Sequence, residues 1–125
     1  MTLILSIAAG GAIGAVLRFW VAGGVMRLAD GDFPLGTMSV NVLGSLVMGL
    51  LVGLFALKME ASQELRAFLT TGLLGGFTTF SAYSADVALL VERGDLVGAA
   101  GYAIGSVILS LIAIFAGLAL VRAFA

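Results

Sequence analysis

Charge is almost absent from four long stretches of this 125-residue chain, and that distribution constrains the fold more than any other feature. Residues 3–28 carry only Arg18 and Arg27, and residues 33–57 carry no charge. The third stretch, 66–91, opens on Arg66 and then runs uncharged to Asp86, while 96–121 carries none. An α-helix needs roughly 20 apolar residues to cross the hydrocarbon core of a bilayer. Each stretch suffices, with tilt absorbing the excess. The connections LADGD, KMEASQE and ERGD are too short to hold a soluble domain. The chain therefore reads as one all-α membrane domain, residues 1–125, of four transmembrane helices. Only 10% of its residues are charged, against about 25% in soluble domains. The first stretch is expected to be a retained helix rather than a signal peptide. MTLILSIAAGG has no Lys or Arg ahead of its apolar run, and the run is too long.

The same composition excludes several functions. A net charge of −1 implies no nucleic-acid partner. With neither Cys nor His, disulfides, thiolate chemistry, zinc sites and imidazole catalysis are removed together. No nucleophile–base pair is visible, so an enzyme is the least supported class.

Four spans put both termini on one side. Lys58, Arg66 and Arg122 lie on that side, Arg27 and Arg93 on the other. Three against two is a weak bias under the positive-inside rule. Either orientation is set by other means, or the chain inserts both ways and pairs as an antiparallel, dual-topology homodimer. So small a bundle cannot easily enclose a polar path alone, which independently favours an oligomer. Small residues four apart mark close helix packing: Gly10 with Gly14, Ser45 with Gly49, Gly49 with Gly53, Gly72 with Gly76, and Gly101 with Gly105. With eighteen glycines, some of these pairs are expected by chance.

Polar groups at membrane depth are costly unless paired, so they mark candidate function. Thr37, Asn41 and Ser45 share one face of the second span at i, i+4 and i+8. Tyr102, Ser106 and Ser110 do the same in the fourth. Hydroxyls often serve only as glue between helices or back to their own carbonyls. Two regular stripes and an amide point further, to a shared path. Asn41 is the most telling member, because its NH₂ can donate to an anion. Arg18 either snorkels to the interface or faces a path. Asp86 either looks into a wet vestibule or pairs with a cation.

GLLGGFTTFSAYS, residues 72–84, combines glycines, hydroxyls and rings. Gly75 and Gly76 each weaken a helix by about 1 kcal/mol relative to Ala. Thr78, Thr79 and Ser81 compete for backbone groups. A break in the third helix is expected, tolerated only where protein or a wet cavity covers it. A break exposes carbonyls that suit a hard cation such as Na⁺. Phe80 and Tyr83, three apart, share a face if the helix resumes. The positive edge of a ring suits a small anion. Many donors and no carboxylate but peripheral Asp86 also favour an anion.

GGAIGAVLRF, PLGTMSVNVLGS and GLLGGFTTFS, in this order on four short spans, resemble the Fluc (CrcB) family of fluoride channels. The likeness covers residues 10 to 122. It implies passive, fluoride-selective conduction by an antiparallel homodimer of the inner membrane, with two pores and a central Na⁺ at the dimer interface. It implies that the backbone carbonyls of Gly75 and Thr78 hold that Na⁺. Asn41, Phe80, Tyr83, Thr37, Tyr102, Ser106, Ser110 and Ser81 fall on the ion pathway, and Arg18 on an anion vestibule. Tyr83 departs from the family's usual Phe, and its hydroxyl could donate to the ion, hold it too tightly or narrow the path. A small four-helix proton-coupled exporter is the alternative. Such proteins need a carboxylate in the first span, and none precedes Asp30.

Overall fold

The computed structural model describes residues 1–57 and 60–124; Lys58, one of the charges weighed for orientation, lies outside the described residues. The chain is all-helical. α1 (Thr2–Ala29) ends where Asp30 turns left-handed at φ 48°, its N–H closing on the Met26 carbonyl. α2 (Leu35–Leu57) starts just after Pro34, whose fixed φ suits a helix start. The third span is composite. It comprises α3 (Gln63–Ala67, capped by Ser62), a π-helical segment Phe68–Leu74, α4 (Gly75–Phe77) and α5 (Phe80–Glu92). A turn at Gly94 (φ 81°) leads to α6 (Leu96–Ala123), whose N-cap Asp95 accepts from the Gly98 N–H at 2.8 Å. Among the described residues four helices, Thr2–Ala29, Leu35–Leu57, Gln63–Glu92 and Leu96–Ala123, are long and apolar enough to cross a membrane, which makes this a multi-pass membrane protein.

Glycine decides how the spans pair. α1 lies against the π segment and α4, and α2 against α6. A Cβ on Gly10 would sit 2.5 Å from the Phe68 carbonyl oxygen, and one on Gly76 2.6 Å from that of Gly11. One on Gly14 would overlap the Leu73 carbonyl, and one on Gly49 that of Ile114. Only hydrogen at these positions lets the backbones touch, and close packing is a main source of helix association in lipid. Gly101 and Gly105 behave otherwise: nothing approaches Gly101, and Gly105 meets only the tip of Met38 at 3.9 Å. That pair is spacing without packing inside this chain.

The break falls two residues later than the glycines suggest. Gly75 is helical at φ −61°, ψ −37°, whereas Thr78 (φ −83°, ψ 161°) and Thr79 (φ −154°, ψ 120°) are extended. Gly72 and Gly76 serve the contact with α1, and the unwinding is made at the threonines. Beyond it, α5 leaves α1 and packs on α6. Few large side chains are buried, and Phe19, Trp20, Leu111 and Phe115 project outward, as a lipid-facing surface requires.

Candidate ion pathway

Asn41 reaches the break from α2. Its Oδ1 accepts the Thr79 N–H at 2.8 Å, and its Nδ2 donates to the Thr79 carbonyl at 3.1 Å. The paired peptide fixes which end of the amide faces which way, and one of the two Nδ2 protons is left over. One turn along α2, Gly44 makes room for the break. A Cβ there would overlap the Thr78 methyl and lie 3.3 Å from the Phe77 ring. Phe77 itself is buried. Thr79 then restarts the helix, its Oγ1 accepting the Ala82 N–H at 3.1 Å. Ser81 Oγ lies 3.4 Å from that same hydroxyl.

Two cavities flank the break. The smaller, about 330 Å³, is walled by Asn41, Ser45, Thr78, Thr79, Phe80, Tyr83, Ser106 and Ser110 with Val107 and Leu111. Asn41 and Ser45 of the α2 stripe and Ser106 and Ser110 of the α6 stripe thus meet the ring pair in one place. Ser106 is only 4% exposed, and its hydroxyl has no hydrogen-bond partner among the described residues. A buried hydroxyl without a partner is unusual enough to require an account. The Phe80 and Tyr83 rings stand 5.4 Å apart, tilted by 43°. Phe80 is 78% exposed. Tyr83 is half-buried, and its hydroxyl donates to the Ala103 carbonyl of α6 at 2.8 Å. Its single proton is therefore committed to backbone, and toward the cavity it presents a ring.

The larger cavity, about 670 Å³, holds Arg18, Thr37, Val40, Ala82, Asp32 and Asp86 among its walls. Thr37 is thus separated from Asn41 and Ser45, and Thr79 belongs to both cavities. Asp86 makes no ion pair among the described residues; it accepts the Tyr102 hydroxyl at 3.0 Å. Tyr102, fully buried, lines neither cavity. It stacks between Tyr83 (5.4 Å) and Phe33 (5.6 Å, edge-on), backing the ring pair.

Gly75 and Thr78 have an unusual backbone setting. In a continuous helix their carbonyls would take the N–H groups of Thr79 and Ala82. Those N–H groups go instead to Asn41 and to the Thr79 side chain. Carbonyl oxygens without helical donors fit a hard cation. Among the described residues no group of three His, Cys, Asp or Glu could hold a metal ion.

As residues of the site Thr79 and Gly44 escape the sequence reading, which takes Thr79 only as a hydroxyl competing for backbone groups. Thr79 carries a usable signal: threonine is a preferred N-cap, so a helix restarting at Phe80 would select it. Gly44 carries none that separates it from the other glycines.

The family described as "CrcB-like protein, Camphor Resistance (CrcB)" matches residues 5–118. A protein of Agrobacterium fabrum named fluoride-specific ion channel FluC is 53% identical over 119 residues, covering 95% of each chain. A protein of the same name from Rhodospirillum centenum is 52% identical over 122 residues, covering 98% of this chain and 97% of the relative. One from Nitrobacter winogradskyi is 48% identical over 121 residues, covering 97% and 96%.

Proposed function

The chain belongs to the CrcB family, and from that premise we propose that it is a passive fluoride-specific channel of the inner membrane. The observation that carries this reading is Ser106, a buried hydroxyl with no partner among the described residues, on the wall of a cavity that also holds the Asn41 amide and two aromatic rings. A donor left unpaired costs about 1–3 kcal/mol. A small anion that accepts strong hydrogen bonds removes that cost. The same donors replace water around the ion, and a ring edge offers further positive charge. Ser110 extends the donor line along α6 and Ser81 flanks Thr79. Arg18 and Thr37, in the larger cavity, form the vestibule, where Arg18 supplies a fixed cation to meet an anion alongside the carboxyl groups of Asp32 and Asp86. Tyr102 supports the path from behind.

Two finer elements belong to the same reading. The chain works as an antiparallel homodimer in membrane lipid, with two pores. The carbonyls of Gly75 and Thr78 from both copies hold one central Na⁺, a charge that favours anions nearby. The fit of that ion is supported by the loss of helical donors at both carbonyls and by the exposure of Gly75 on the bundle surface.

Purified protein in liposomes loaded with fluoride, followed by a fluoride electrode, tests the reading. Fluoride efflux far above protein-free liposomes, with chloride retained, is expected. Fluoride efflux equal to the protein-free background overturns it.

A further inference from the structure

We propose that Asn41 and Thr79 form a clamp that builds the break, and that the Thr79 hydroxyl is the positioning group that keeps the Thr78 carbonyl available to a hard monovalent cation. The inference rests on the cation reading above and adds its mechanism. An i+4 helix offers one N–H to each carbonyl. At this break two of those N–H groups are diverted, for two different reasons. The Thr79 N–H leaves the Gly75 carbonyl for Asn41 Oδ1 at 2.8 Å. The Ala82 N–H leaves the Thr78 carbonyl for Thr79 Oγ1 at 3.1 Å. The second bond of Asn41, from Nδ2 to the Thr79 carbonyl, closes a two-bond pairing with a single residue. That pairing holds Thr79 extended, a conformation natural for a β-branched residue. Gly44 completes the arrangement by admitting the Thr78 methyl.

The polar path and the cation site are thereby joined through one residue. Thr79 lines both cavities, holds the amide of Asn41 and takes the N–H that would otherwise close on Thr78. Removing its hydroxyl while keeping its shape leaves the Ala82 N–H without its acceptor, and the turn regains one only if Thr79 gives up its extended backbone and lets that N–H close on the Thr78 carbonyl. The cation then loses an oxygen, and the pairing of Thr79 with Asn41 is given up along with the extended backbone.

The test compares wild type, Thr79→Val and Thr79→Ser in detergent, heated in Na⁺ or in N-methyl-D-glucamine, with the monodisperse fraction read by size exclusion. Wild type and Thr79→Ser are expected to survive to a higher temperature in Na⁺, and Thr79→Val to lose most of that difference. A lost helix cap alone would lower survival equally in both salts and leave the difference intact. An undiminished Na⁺ effect in Thr79→Val overturns the clamp while the cation reading stands. No Na⁺ effect in wild type overturns both. Thr79→Ala, which also lacks the hydroxyl, replaces Thr79→Val if that variant does not yield folded protein.

Discussion

The two halves of the third span use opposite means to hold their neighbours. Residues 63–77 meet α1 backbone to backbone, through Gly10, Gly14, Gly72 and Gly76. Residues 80–92 meet α6 through side chains: Tyr83 on the Ala103 carbonyl, Asp86 on Tyr102, and rings stacked around them. The first half gains its contact from closeness, which tolerates no added atom. The second leaves side chains standing apart, and the donor-lined cavity lies among them. Anchoring and chemistry are thus divided within one helix, with Thr78–Thr79 as the boundary.

The sharpest way to break this contrast is to add atoms to the first half. Gly14→Val forces a side chain into the Leu73 carbonyl, and overpacking of this kind costs about 1–3 kcal/mol or more. Most of the monodisperse protein should be lost on size exclusion, while Gly101→Val, at a position nothing approaches, should run as wild type. An equal outcome for the two variants would mean that the close approach is not what holds α1. The second half should show the reverse separation of stability from function. Ser106→Ala removes a hydroxyl that no group among the described residues uses, so heat resistance should be unchanged or slightly raised. Fluoride efflux should fall by about tenfold or more, since a hydrogen bond to a charged group contributes about 1.5–3 kcal/mol. A variant that loses stability but conducts normally would return Ser106 to a packing role. Tyr83→Phe is the mildest probe. It removes one bond to Ala103, about 1 kcal/mol, and leaves the ring. A slightly lower melting temperature with efflux within a few-fold of wild type is expected. A large loss of efflux would show that the hydroxyl serves the ion rather than α6.

Much of this was legible in the chain. Apolar length depends on bilayer thickness alone, so the four spans could be read from residue type. The stripes of α2 and α6 followed from helical period, and Asn41, Ser45, Ser106 and Ser110 do meet at one cavity. The period could not reveal that the stripe of α2 is divided, with Thr37 in the other cavity, because that depends on where α5 crosses it. Nor could it separate Gly10 and Gly14, pressed on backbone, from Gly101, which faces open space.

By itself the sequence determined an all-helical membrane protein with a weak third helix, because hydrophobic length and glycine content act locally. The tertiary structure alone decided where that helix parts. Its strongest local weakness is Gly75–Gly76, yet both glycines stay helical, and α1 presses on Gly76. The chain opens at Thr78–Thr79 because Asn41, 38 residues away from Thr79, offers the peptide a better pair of hydrogen bonds than the helix does. It also settled the fate of the Tyr83 hydroxyl, for which residue type allowed several partners and only the approach of α6 selected one.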